Sequence, residues 1–402
     1  MKNKKWYIII FIILLILSNM ATLILSNGMS IAVGDKVIVQ TKDSNTAEYI
    51  TKLLNLKNEI LSSYYQDVDE DELLEGALIG MFQAVGDPYT VYYDEDQFQS
   101  YMEQIQGTYV GIGVVVTMDD NNIVTVVSPI EGSPGKKAGL VSGDKIVKVN
   151  NEEIIGLNLT EVVAKIKGDQ GTEVTLTIQR EGFDELIEKT LIREEIVMKS
   201  VNSEVLDGDL GYLTITQFEN YTSKEFNENL DKLLDENIKG LIVDVRDNPG
   251  GRMDTVVEIV DRLMGESVIV YTEDKAGNKD YKYSDEKNKL DLPIVVLING
   301  GSASASEIFA GALQDTNSAT IVGTTSFGKG IVQRMSDLGD GTGYKVTVSE
   351  YFTPNGRNIH DKGIEPDVEI EMPLDLKYES DYSLEKDVQL NRAIEVLKDK
   401  IG

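Results

Sequence analysis

No cysteine occurs among the 402 residues, which excludes disulfides, thiolate zinc sites and a cysteine nucleophile together. Histidine is nearly absent as well. His360 is the one imidazole in the chain, so schemes that depend on a histidine base have little room. Positive charge is scarce: 38 Lys and Arg stand against 68 Asp and Glu, a net charge of −30. A surface of that sign repels nucleic acid and anionic lipid head groups, and a DNA or RNA reader is excluded on that ground.

What is present fits a folded protein. The length allows two or three domains at about 100–200 residues each, and 41% hydrophobic with 26% charged residues is a globular composition. Near the start, Lys2, Lys4 and Lys5 precede an uncharged run from Trp6 to Leu25, long enough as a helix to cross the ~30 Å hydrocarbon layer. This predicts a membrane anchor or signal segment over residues 1–28, with the basic flank in the cytoplasm and the remainder outside the cell membrane. Ser30-Ile31-Ala32 offers a small-x-small cleavage site, so an uncleaved anchor and a secreted product are both open.

Apolar residues at three- and four-residue spacing, among them Ile50, Leu53, Leu54, Leu73, Leu74 and Ala77, predict a helical region over about 40–106. The acidic run Asp67–Glu72 begins like a calcium loop but has Glu72 where that loop needs glycine, and it reads as a solvated helix N-terminus. No metal or cofactor site is expected. From Gly107 the pattern changes to short strands, Gly113–Met118, Ile123–Val127, Lys145–Val149 and Glu173–Gln179, with one helix from Leu159 to Lys167. Beyond Arg193 strands alternate with helices, an α/β layer pattern, and Asp387–Ile401 reads as a terminal amphipathic helix.

Three segments of the α/β region stand out. Gly301-Ser302-Ala303-Ser304-Ala305-Ser306-Glu307-Ile308 follows a buried apolar strand and opens a helix, where free backbone N–H groups suit a nucleophilic hydroxyl and a developing oxyanion. The same run is equally read as an N-cap serine among small packing residues. Asp244-Val245-Arg246-Asp247-Asn248-Pro249-Gly250-Gly251 ends another strand, and its paired glycines let backbone N–H groups approach a ligand or simply make a tight turn. Gly323-Thr324-Thr325-Ser326-Phe327-Gly328-Lys329-Gly330 imitates a phosphate-binding loop. It has Gly330 where magnesium needs a hydroxyl, and a strand-like Ile331-Val332-Gln333 follows where a helix is needed.

Ser304, Lys329 and Gln333, within S-A-S-A-S-E-I and F-G-K-G-x-V-Q, together with D-x-R-x-N-P-G-G and Gly363-Ile364-Glu365-Pro366-Asp367, occur in an order that resembles the carboxy-terminal processing peptidases, serine peptidase family S41. The resemblance covers nearly all of the chain after the anchor. It implies a ClpP/crotonase-like ββα protease core over 190–372, an inserted PDZ domain over 107–185 and helical N- and C-terminal segments, the latter 373–402. It implies Ser304 as nucleophile, Lys329 as base, Gln333 as the residue orienting the amine, and an oxyanion hole from the N–H groups of Ala305 and Gly251, with Gly250 chemically equivalent to Gly251. A lysine of ordinary basicity is neutral only about once in 2,500 at pH 7, so the base must be desolvated or set beside positive potential. Phe327 and the flanking glycines are compatible with burial.

The resemblance also implies substrate selection by the small module, in which backbone N–H groups of Gly111, Ile112 and Gly113 capture the terminal carboxylate of a peptide that adds as a strand. Lys167-Gly168 stands where many relatives carry arginine before the glycine, which keeps charge without bidentate geometry. His360 falls in a loop near the end of the core. The expected activity is that of a serine endopeptidase cutting extracytoplasmic proteins near an exposed C-terminal tail; a catalytically silent PDZ scaffold and a crotonase-like acyl-CoA enzyme are the alternatives. The terminal helices resemble dimerisation elements, or pack on their own core.

Overall fold

The computed structural model describes residues 31–33, 36–38, 44–119, 122–130, 132–287, 289–373 and 384–402. They fall into two compact units that meet in sequence at Gly86 and Asp87. The first holds an antiparallel pair, β1 (Ile31–Val33) and β2 (Lys36–Ile38), followed by α1 (Ser44–Ser63) and α2 (Glu70–Gln83). Asp69 caps α2 by accepting the Asp71 N–H at 2.8 Å, so the acidic run is a helix start. The expected anchor lies outside the described residues. Among the described residues no helix is long and apolar enough to cross a membrane.

The second unit opens with β3 (Val91–Tyr93) and α3 (Glu95–Gln106). The helical reading of 40–106 missed β3, whose three residues take strand form by pairing with Gly343–Lys345 some 250 residues away, a partner that local periodicity cannot announce. A strand-rich module follows: β4 (Thr108–Gly111), β5 (Val114–Met118), β6 (Val124–Pro129), α4 (Pro134–Lys137), β7 (Lys145–Val149), β8 (Glu152–Glu153), α5 (Leu159–Ile166), β9 (Glu173–Gln179), β10 (Ile187–Ile192) and β11 (Glu194–Val197). Its sheet runs β10-β9-β7-β6-β5, and β11 pairs with β4 in a separate ribbon. Ile146, Val162, Leu176 and Ile178 form its core. Asn158 and Glu161 close a reciprocal capping box at the start of α5.

The remaining elements are β12 (Val201–Leu206), β13 (Leu210–Ile215), α6 (Thr222–Asp235), β14 (Gly240–Asp244), α7 (Met253–Leu263), β15 (Ser267–Asp274), β16 (Lys279–Ser284), β17 (Ile294–Ile298), α8 (Ala305–Asp315), β18 (Thr320–Gly323), β19 (Ile331–Asp337), β20 (Gly343–Phe352), β21 (Val368–Glu369) and α9 (Val388–Ile401). The central sheet has the order β12-β13-β14-β17-β18-β21 and is parallel from β13 onward. Strand alternation divides its two faces. Leu241, Val243, Val296 and Ile298 pack with the residues of α6, α7 and α8, whereas Ile242, Val295 and Leu297 pack with Leu390, Ala393 and Leu397 of α9. The buried face of α9 is thereby taken up by its own sheet. A second sheet, β16-β15-β20-β19 with β3 on β20, stands beside the first.

Candidate active site

The carboxyl ends of three adjacent parallel strands, β14, β17 and β18, deliver the three unusual segments to one place, which is where ligands bind in open parallel sheets. A cleft of about 970 Å³ is lined there by Gly250, Gly251, Ser304, Ala305, Lys329 and Gln333, with Tyr101 and Ile105 of α3 and Lys345 of β20 on its walls. Every residue expected to act in bond cleavage therefore lies on a single cavity.

Ser304 precedes α8 with φ 55° and ψ −112°, a conformation that costs a non-glycine residue of order 1–3 kcal/mol and has to be held by its surroundings. Its N–H donates to Glu307 Oε2 at 2.8 Å, and its carbonyl accepts the Tyr351 hydroxyl at 3.0 Å. Glu307 is fully buried. Besides Ser304 it accepts the N–H of Lys329 at 2.8 Å, the N–H of Gly328 at 2.7 Å and the Ser326 hydroxyl at 2.6 Å. One carboxylate thus fastens the serine turn to the lysine loop. The S-x-x-E spacing was a visible capping signal for it, but sequence reasoning gave Glu307 no part in the site.

Asn248 fastens the third segment. Its carbonyl accepts the Ala303 N–H at 3.0 Å and the Ser306 hydroxyl at 2.9 Å, while its side chain donates to the Ile215 carbonyl and accepts the Gly250 N–H at 2.9 Å. The two glycines, equivalent as sequence, are distinct as structure. The Gly250 N–H is engaged by Asn248, whereas no protein group among the described residues accepts from Gly251 or from Ala305. Both glycines have positive φ, and a β-carbon at Gly250 would lie 2.9 Å from the Ala305 nitrogen.

Lys329 is half-buried, with its Nζ 4.5 Å from the centroid of the Tyr89 ring. Desolvation lowers its basicity below the usual lysine range, the Lys345 ammonium lowers it further, and the carboxylates of Asp87 and Glu307 oppose both. The burial does not come from Phe327, which is 57% exposed; an aromatic residue two positions away in sequence is exposed here, and the ring of one 240 residues away lies against the amine. Gln333 also departs from expectation. Its amide reaches the Thr347 hydroxyl at 3.5 Å, and that hydroxyl donates to Asp87 at 2.6 Å. It makes no hydrogen bond to Lys329. Burial works to raise the Asp87 carboxyl, but hydrogen bonds from Thr347, Thr90 and the Tyr89 N–H, with the His360 imidazole, hold it below the ordinary carboxylate range.

The mimic of a phosphate-binding loop ends in β19, a strand, as its sequence suggested. His360 lies in the turn after β20, its N–H donating to Asn358. In the strand-rich module Gly111 ends β4 while Ile112 is buried, and Gly113 follows at φ 66° with its carbonyl accepting the Ser133 hydroxyl at 2.9 Å. Lys167 ends α5 and pairs with Glu103 of α3 at 2.5 Å. The guanidinium beside Gly168 belongs instead to Arg193, which donates to the carbonyls of Ile166 and Glu173 at 2.8 Å.

Known proteins resemble the chain along most of its length. Family models match residues 209–370 as peptidase family S41, residues 125–180 as a PDZ domain and residues 21–97 as the N-terminal domain of the activating protease CtpB. The carboxy-terminal processing protease CtpA of Bacillus subtilis is 38% identical over 93% of this chain and 78% of its own. The chain belongs to peptidase family S41. A carboxy-terminal-processing protease of Bartonella bacilliformis is 37% identical over 87% of this peptidase and 81% of its own length. Among solved structures, a photosystem II D1 C-terminal processing protease is 26% identical, covering 84% of this chain and 96% of that one at a TM-score of 0.47. The protein is accordingly a serine-type peptidase of mixed α/β fold that carries a PDZ domain and helical segments at both ends.

Proposed function

We propose that the peptidase is an endopeptidase working through a Ser304–Lys329 dyad on proteins outside the cytoplasm, cutting near a C-terminal tail. The observation that carries this reading is the pair of unengaged N–H groups, Gly251 and Ala305, on the cleft that also holds Ser304 and an amine of lowered basicity. The neutral Lys329 takes the Ser304 proton, the alkoxide adds to the scissile carbonyl, and the two amides receive the developing negative charge. The ammonium returns its proton to the leaving amine, and water then hydrolyses the acyl-enzyme. Lysine has four rotatable side-chain bonds, and a swing of the amine off the Tyr89 ring is the motion that brings it to the hydroxyl. Gln333, leaving Thr347, would orient it there.

The PDZ domain supports capture of the tail, with Gly111, Ile112 and Gly113 as the proposed carboxylate loop. The Trp6–Leu25 run supports attachment to the cell membrane, and the exposed Leu53, Leu54 and Leu61 of α1 support a homodimer through the N-terminal helices. The test uses the full chain in detergent micelles with unstructured peptides bearing free or amidated C-termini, beside Ser304→Ala and Lys329→Ala. Cleavage by the parent alone, slower on amidated peptide, is expected. Equal turnover by Ser304→Ala removes the nucleophile, and peptide binding without turnover by any protein favours the silent scaffold.

A further inference from the structure

Lys345 is a second lysine on the wall of the same cleft. It belongs to β20, opposite Val91 of β3 and Met335 of β19. Its Nζ lies 4.6 Å from the ring centroid of Tyr101 and 5.7 Å from that of Tyr93, and those two rings stack at 5.0 Å. Such faces favour a cation. Among the described residues no carboxylate forms an ion pair with Lys345.

The groups around Lys329 are few and can be named element by element. The turn before β3 brings Asp87 and Tyr89, the start of α8 brings Glu307, β20 brings Lys345, and the turn after β20 brings His360 and Asp361, whose charges reach Asp87 and Tyr89. Both near carboxylates are already occupied. Glu307 accepts four hydrogen bonds, and Asp87 accepts from Thr347, Thr90 and the Tyr89 N–H. Neither forms an ion pair with a lysine, so the charge on Lys345 is felt in the cleft without a direct partner. A cation placed beside a lysine disfavours protonation of that lysine.

We propose that Lys345 is a positioning residue that acts through Lys329: its ammonium, seated on the rings of Tyr93 and Tyr101, discourages a second positive charge in the cleft and keeps Lys329 available as a base. The inference rests on the Ser304–Lys329 reading and adds to desolvation, the larger cause, a second one that favours the neutral base. Burial lowers the basicity of Lys345 as well, against the pull of Asp87, but two aromatic faces hold its charge where Lys329 has one, so the repulsion falls on Lys329.

The test uses full-length Lys345→Met and Lys345→Arg, with Lys345→Gln as a second neutral variant should the methionine protein fold poorly by circular dichroism. Loss of the like charge should cut kcat/KM roughly tenfold near pH 7 and leave it within about twofold of the parent near pH 10, where the amine is neutral either way. Lys345→Arg should stay within about twofold of the parent throughout. A structural role for Lys345 would lower activity by the same factor at every pH. In a Ser304→Ala background, pulse acetylation with acetic anhydride followed by peptide mass spectrometry reports the neutral fraction of Lys329 without any peptidase activity. Its half-reaction pH should rise in the neutral variants and not in Lys345→Arg. An acetylation profile unchanged by Lys345→Met overturns the inference, as does a folded Lys345→Arg that behaves like Lys345→Met. Cleavage that survives Ser304→Ala overturns the dyad instead, a result that the acetylation profile neither needs nor imitates.

Discussion

The backbone N–H groups of Ser304 and Lys329, 25 positions apart in sequence, donate to the same oxygen of Glu307, each at 2.8 Å. The separation of the two proposed reacting groups is therefore set by a buried carboxylate and not by the loops that carry them.

Replacing Glu307 should consequently damage fold and activity together. Glu307→Ala leaves the buried N–H groups of Ser304, Gly328 and Lys329 and the Ser326 hydroxyl without their acceptor, and removal of such an acceptor costs about 3–5 kcal/mol. Glu307→Gln retains the shape and one acceptor oxygen, so its unfolding midpoint in urea should fall between the two. Peptide cleavage by Glu307→Gln should drop mainly in kcat, because a shifted serine turn is felt in the transition state.

Gly250 and Gly251 separate two effects. A β-carbon at Gly251 would come within 2.1 Å of the Phe218 carbonyl oxygen, so Gly251→Ala must displace the strand end and, with it, a free N–H. Loss of one oxyanion donor typically costs about 10²–10³ in kcat. Gly250→Ala presses on Ser304 and Ala305 themselves, and it should abolish burst-phase acylation while Gly251→Ala only slows it. Stopped-flow release of a chromogenic leaving group distinguishes them.

The pH dependence follows from the sign of the Lys329 shift. Its folded pKa is lowered, chiefly by desolvation. Between that lowered value and the ordinary lysine range near 10.5, the unfolded chain binds the proton that the folded chain has released, so stability rises with pH across that window. Below the lowered value the buried ammonium is carried at a cost. Lys329→Met should therefore unfold at higher urea than the parent at neutral pH, and the gap should close as pH approaches about 10.5. Activity of the parent should climb as pH rises through the lowered value itself and level off above it.

Arg193, between β10 and β11, is a buried cation that serves the PDZ domain, donating to the Ile166, Lys165 and Glu173 carbonyls and to the Thr172 hydroxyl. Arg193→Met strips donors from the turn around Gly168 and should destabilise that domain by about 2–4 kcal/mol. Hydrogen exchange should then accelerate over residues 159–193 and remain unchanged over β13, β14 and β17.

The legible part of this chain was the part whose partners are local or periodic. Lys145–Val149 and Glu173–Gln179 were bounded correctly because a short run rich in β-branched residues between turn residues has few other fates. Leu159–Ile166 was legible from its amphipathic spacing, and Ser304 and Lys329 from motifs that are short and ordered. Partners distant along the chain were not. Tyr89, Asp87 and Lys345 reach Lys329 only after β3 has paired with β20. Gln333 turns toward Thr347 because β19 and β20 are antiparallel neighbours in register there. The choice between Gly250 and Gly251 depended on where a single asparagine side chain points.

The central claim, that Ser304 is acylated with Lys329 as its base, is tested most directly by trapping the intermediate. The full-length peptidase is mixed with a peptide p-nitrophenyl ester, quenched in acid within the burst and mapped by mass spectrometry at neutral pH. The account predicts one acyl group on Ser304 in the parent and none above background in Lys329→Met. An acyl group on another residue, or undiminished acylation of Ser304 without the lysine, would contradict it.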